Sequence, residues 1–416
     1  MPQNDTTGQL QINVTSEDSS YPITDASVSI SYTGVPENQL ESLITDSSGQ
    51  TDIIDLPTPP LEYSLNPTID QQPYSEYTIQ VTAPGFEPLT VAGAELLPTI
   101  LAIQNIRLRP LVMNANTANE EVFVIPAHTL YGNYPPKIPE AEIKPTNETG
   151  EIVLSRVVVP EYIIVHDGSP RDSTARDYYV KYKDYIKNVA SSEIYATWPE
   201  ETIRANVLAI MSFTLNRVYT EWYRNQGYDF TITSSTAFDH KWIPERNIYD
   251  TISAIVDELF ASYLSRPNVR QPILTQYCDG RQVQCPRWMT QWGSKALGDQ
   301  GYSAIEILRY YYGDDMYINT AEAISGIPSS WPGYNLETGS SGDKVRQMQE
   351  QLRAISRAYP AIPTITADGI FGPATAEAVR VFQSVFGLPV TGIVDYPTWY
   401  KISEIFVGVS RIAELN

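Results

Sequence analysis

The period of the apolar pattern changes along this chain, and that change commits it to several domains of different class. Between residues 8 and 110 apolar and polar residues alternate, as in Gln9-Leu10-Gln11-Ile12-Asn13-Val14, Ala26-Ser27-Val28-Ser29-Ile30-Ser31 and Tyr77-Thr78-Ile79-Gln80-Val81. A period of two marks strands with one buried face. Turn signals at Ser47-Ser48-Gly49, Pro57-Thr58-Pro59-Pro60 and Pro84-Gly85 separate the runs. The pattern predicts a small antiparallel β-sandwich over residues 1–110. Over residues 111–160, scattered prolines and the polar run Pro145-Thr146-Asn147-Glu148-Thr149-Gly150 mark a linker or a draped extended segment.

Beyond residue 160 the period lengthens. Residues 161–325 mix helix and strand, which predicts an α+β domain. Tyr182–Glu193 reads as a short helix. Pro199-Glu200-Glu201 then opens a long one, with carboxylates near its positive end. Ile203, Val207, Ile210, Met211, Leu215, Val218 and Trp222 recur at three- or four-residue steps toward Gly227, as a core stripe. Another helix is expected over about residues 248–264. Residues 326–416 predict three helices, marked by Val345/Met348/Leu352/Ile355, by Pro373 to Gly387, and by Trp399/Ile402/Phe406.

Charge and missing motifs narrow the chemistry. The formal net charge is −21, and residues 1–110 hold fourteen acidic side chains against Arg107 and Arg109 alone. Nucleic acid is a poor partner for such a surface. No apolar run reaches the ~18 residues that a membrane span needs. The first residues lack a basic and then apolar leader, so export either uses another route, or a leader has been lost, or lysis releases the protein. Cys278 and Cys285 are spaced C-x6-C; a loop-closing disulfide leads, ahead of buried thiols and half of a metal site. G-x-S-x-G, HExxH, Walker A and dinucleotide motifs are missing, and there are three histidines, His128, His166 and His240. Carboxylates, tyrosines and tryptophans remain, a set that suits sugars: aromatic faces pack on pyranose rings, and a carboxylic acid can protonate a glycosidic oxygen.

Three stretches carry family resemblances. Ser341-Gly342-Asp343-Lys344-Val345, Gln349, Leu352, Asp368-Gly369-Ile370-Phe371-Gly372-Pro373, Phe382-Gln383, Gly387-Leu388-Pro389 and Thr398-Trp399 resemble the peptidoglycan-binding type 1 domain. Asp25-Ala26-Ser27-Val28, Thr45-Asp46-Ser47-Ser48-Gly49 and Ala83-Pro84-Gly85-Phe86 resemble a transthyretin-like sandwich. The block from Asp184 through Ser192-Glu193-Ile194 to Asn206, with Met289-Thr290-Gln291-Trp292-Gly293 and Gln300-Gly301-Tyr302, resembles the stage II sporulation protein D domain. The whole layout looks like the SleC-type spore cortex-lytic enzymes.

That resemblance implies a lytic transglycosylase of peptidoglycan with Glu193 as the catalytic carboxyl, sheltered and protonated near neutral pH. It implies a precursor with the sandwich as pro-domain, an activating protease cutting between Asn147 and Val159, and a home in the spore cortex or coat region or in the extracellular wall. Gln291, Trp292, Ser192 and Tyr302 are the candidate substrate-binding residues. Relatives often hold zinc by Cys and His where this chain has Thr231, Ser235 and Thr236, so no metal and no cofactor is expected. The arginine common in the long helix aligns with Met211. Two other readings stay open: a wall-binding protein that stimulates an amidase, and a two-carboxylate muramidase in which Asp239 would matter.

Overall fold

The computed structural model describes residues 6–17, 20–111, 120–144, 154–325 and 331–410. Its first domain is built from β1 (Thr7–Ser16), β2 (Ser27–Tyr32), β3 (Gln39–Ile44), β4 (Ile54–Pro57), β5 (Ser75–Thr82), β6 (Leu89–Leu96), β7 (Leu101–Leu108) and β8 (Glu121–Val124), with one helical turn, α1 (Glu62–Leu65). The alternation places Leu10, Ile12, Val14, Val28, Ile30, Ile79 and Val81 inside with no exposed surface. Each such side chain contributes about 1.5–3 kcal/mol by leaving water.

The strands form two sheets, and these are mixed where the sequence predicts purely antiparallel ones. β1 pairs β7 in parallel, as β6 does β8, while β1–β4, β2–β3, β2–β5 and β5–β6 are antiparallel. The chain leaves β6 in one sheet and enters β7 in the other, so β7 arrives beside β1 running the same way. The transthyretin-like connectivity stays a resemblance.

The domain does not stop at residue 110. Beyond β8, the next described strands are β9 (Val158–Val159), β10 (Tyr162–His166), β11 (Asp177–Lys181), β12 (Ile232–Thr233) and β13 (Ile248–Tyr249). Of these, β13 joins the first sheet by antiparallel pairing with β7. Beside it Arg246 donates to Glu95 Oε2 at 2.7 Å, a pair with side chains 0% and 1% exposed. The Asn247 side chain bonds both the amide and the carbonyl of Glu95. A strand, a buried ion pair and an amide clamp therefore weld the sandwich to the central domain.

Residues 125–144, expected as a linker or draped segment, are draped over the central domain. Ile138 donates to Ala237, Leu274 donates to the Glu142 carbonyl, and Gln276 clasps both Glu140 and Ile138. The expected cleavage window runs from Asn147 to Val159. Its residues 147–153 lie outside the described residues, while Val157 and Val159 are buried and β9 pairs with Ala323–Ile324.

The central helices are α2 (Tyr182–Glu193), α3 (Glu200–Tyr219), α4 (Asp250–Leu259), α5 (Gln291–Asp299) and α6 (Ala304–Tyr312). α3 is buried on nearly every side, so its polar side chains need protein partners. Asn206 finds Ser294, Ser212 finds the Ile273 carbonyl, and Asn216 finds Pro272. The helix ends at Tyr219, short of the expected Gly227, because Glu221 turns the chain through a positive φ of 47°. α4 likewise ends at Leu259 and gives way to a strand, Ser262–Ser265.

The C-terminal module holds α7 (Asp343–Ala358), α8 (Pro373–Val385) and α9 (Tyr396–Ser410). Two fully buried glutamines organise it. Gln349 accepts from Gly369 and donates to Ile370 and Thr375, while Gln383 accepts from Thr391 and Gly392 and donates to Ile393 and Thr398. Each amide thus replaces the missing secondary structure of one tight loop. The module docks through Tyr396 and Tyr400 against Phe260 and through Lys183 to Glu404 at 2.9 Å.

Candidate functional site

Glu193 is the last residue of α2, where the weak helix formers Ser191-Ser192 precede an extended Ile194. The carboxyl is 3% exposed. The Lys241 amide donates to its Oε1 at 2.6 Å, and the Tyr277 hydroxyl donates to Oε2. Gln291 Nε2 satisfies the backbone carbonyl of Glu193 at 2.9 Å, one of the orphan carbonyls at a helix end. Burial pushes the carboxyl above its usual range; Lys137, Tyr277 and the Lys241 amide pull it partly back. The negative end of α2 adds to the upward push.

Two elements deliver its partners. Short parallel strands pair Tyr277 with Met289 and Cys278 with Thr290, which aims Tyr277 at Glu193 and sets Gln291 at the start of α5. Cys278 and Cys285 are joined by a disulfide, with Cα atoms 6.0 Å apart. The loop they close is further held by Asp279, whose carboxylate accepts from the Gln282 and Val283 amides at 2.5 and 2.8 Å.

Glu193 lines a cleft between two walls. One wall is the draped segment, through Thr129, Tyr134, Pro135 and Lys137; the other is the disulfide loop with Tyr277 and Gln291. Thr129 fastens the first wall to the end of α2 by donating to the Ser192 carbonyl from both amide and hydroxyl. Lys137 reaches inward, donates to the Asp239 carbonyl and lies 5.2 Å from the centres of the Phe213 and Tyr277 rings.

The predicted residues divide. Glu193 and Gln291 share the cleft. Ser192 is absent from the cleft lining: its hydroxyl is turned back to the Asn188 carbonyl one turn earlier in α2, at 2.9 Å. Trp292 is core, not a sugar platform; it packs on Trp198 at 5.0 Å and Tyr195 at 6.1 Å and is absent from the cleft lining. Tyr302 is 39% exposed in the α5–α6 turn and is absent from the cleft lining.

Asp239 is a buried anchor. Its carboxylate accepts from Arg217 Nε at 2.7 Å, the Tyr223 hydroxyl at 2.6 Å, and the amide and hydroxyl of Thr233 at 2.9 and 2.7 Å. Arg217 also grips Glu140 of the draped segment with two bonds. Among the described residues no three His, Cys, Asp or Glu side chains converge as a metal site would require. The Thr231 hydroxyl accepts from the Ile164 amide, and the Thr236 hydroxyl donates to the Pro135 carbonyl.

Sequence reading missed Lys137 and Tyr277. Neither carries a local pattern, since each reaches Glu193 only through long-range packing.

The family comparison falls on the C-terminal module. Residues 341–402 match the model of a peptidoglycan binding domain family, so the chain carries a peptidoglycan-binding module. A zinc D-Ala-D-Ala carboxypeptidase of Streptomyces albus G is 42% identical over 77 residues, 18% of this chain and 28% of that relative's length. Among solved structures, the SleB N-terminal domain is 31% identical and covers 18% of this chain and 99% of its own, with a TM-score of 0.17. A catechol 1,2-dioxygenase from Acinetobacter is 16% identical, covers 30% of this chain and 60% of its own, and has a TM-score of 0.21. TM-scores this low do not define the fold of the chain. No helix among the described residues is long and apolar enough to cross a membrane.

Proposed function

We propose that this chain is a peptidoglycan lytic transglycosylase in which Glu193 is acid first and base second. The observation that supports this reading most is a sheltered carboxyl with raised proton affinity lining a cleft, in a chain that carries a peptidoglycan-binding module. Glu193 gives its proton to the glycosidic oxygen as the bond from muramic acid C1 breaks. The C6 hydroxyl then attacks C1 and returns its proton to Glu193, which closes a 1,6-anhydro ring without water. The Lys241 amide and Tyr277 hydroxyl hold the carboxylate in place between the two transfers. The wall-binding module raises local substrate concentration.

The two-carboxylate reading loses its candidate: Asp239 faces Arg217, and Asp279 in the cleft wall is spent on backbone amides. The spore cortex or an outer wall belongs to the proposal as the setting, and an activating protease as the partner. A cut in the 147–153 stretch would not free the sandwich, because β13, Arg246 and the draped segment still bind the two parts together. The test is digestion of purified peptidoglycan with product analysis by mass spectrometry. Anhydromuropeptides are expected; reducing muramic ends would reject the reading, and intact glycan would favour the amidase-stimulating protein.

A further inference from the structure

The draped segment brings one buried charge into the cleft, and the reaction proposed above does not by itself use it. Lys137 is 9% exposed and lines the same cleft as Glu193. Its ammonium is aimed by the Asp239 carbonyl, and it sits over the Tyr277 ring whose hydroxyl holds Glu193 Oε2. A lysine stem is rarely buried without a partner. The groups around it are known. Glu193 comes from α2, Asp239 from the loop after β12, Arg217 from α3 and Glu140 from its own segment. Arg217 is occupied by Glu140 and Asp239, and Glu140 also takes Lys144. Facing Glu193, the other charged or titratable groups are Lys241, Tyr277, Tyr185 and Tyr134, and His240 lies near Lys137 and stacks on the Tyr277 ring.

We infer that Lys137 is a positioning residue for Glu193: its charge stabilises the carboxylate that exists between the two proton transfers. The inference rests on Glu193 being the group that gives and takes the proton. Without Lys137 the carboxyl would hold its proton too firmly to protonate a leaving oxygen. Burial favours the neutral form of both groups, while the charge of each favours the charged form of the other. The consequence for the architecture is that catalysis depends on residues 125–144, outside the domain that holds Glu193.

The test uses the full chain with Lys137→Gln, which keeps a donor for the Asp239 carbonyl but loses the charge, and Lys137→Arg, which keeps the charge. Carbon-13 NMR of labelled glutamate follows the titration of Glu193, identified by its loss in Glu193→Gln. In Lys137→Gln the Glu193 titration should move to higher pH, and glycan release should slow about tenfold or more. The alkaline limb of its activity profile should move the same way. Lys137→Arg should restore much of both. An unchanged Glu193 titration in a folded Lys137→Gln protein would overturn the inference. A shifted titration in a protein whose native form releases no glycan would keep the coupling between Lys137 and Glu193 but defeat the transglycosylase reading, and with it the role of Lys137 in proton transfer.

Discussion

Glu193 and Asp239 are both buried carboxylates of the central domain, 3% and 0% exposed, yet they are built for opposite ends. Asp239 accepts four hydrogen bonds, one from a guanidinium, and meets no cleft. Glu193 accepts one amide and one hydroxyl and lines a cleft. Burial alone therefore does not make an acid. The surroundings differ: a buried carboxyl beside a cleft can meet a ligand, and one ringed by four donors is a structural clamp.

The comparison can be broken at either carboxylate. Glu193→Gln should cost the largest factor, about a thousandfold or more in glycan release, with the fold intact by circular dichroism. Arg217→Met should leave Asp239 and Glu140 buried without their cation and lower stability by about 3–5 kcal/mol in a urea titration. Tyr277→Phe withdraws one donor from Glu193; release should slow about tenfold and the alkaline limb should move up, since the anion is held less well.

A subtler effect carries the opposite sign. The folded proton affinity of Glu193 is raised, so its favourable contribution is complete below the unfolded carboxyl value of about 4.3 and is lost as pH rises through the folded one. Glu193→Gln should therefore be more stable than the native chain at neutral pH, with the gap closing in acid, as thermal melts at several pH values would show. A native protein that is the more stable at neutral pH would contradict the raised affinity.

Much of the fold was legible because period and burial coincide. Leu10, Ile12 and Val14 point inward as their alternation requires, and α7, α8 and α9 start close to the residues that marked them. Glu193 and Gln291 were legible through their resemblance alone. Lys137 and Tyr277 were not, because each lies in a stretch without period and meets Glu193 only after the chain has folded over distances of 56 and 84 residues. The strand direction of β7 and β8 was also hidden, since alternation is the same in parallel and antiparallel sheets. Ser192 and Trp292 misled for a related reason: adjacency in sequence to Glu193 and Gln291 says nothing of direction, and on a helix neighbouring side chains point apart.

The most direct measurement is digestion of purified peptidoglycan in water enriched with oxygen-18, followed by mass analysis of the muramic ends. If Glu193 relays a proton to and from the sugar's own hydroxyl, the released ends are anhydro forms that carry no solvent oxygen. A single heavy oxygen at each new muramic C1 would mean that water makes the second attack, and the one-carboxyl account would be wrong.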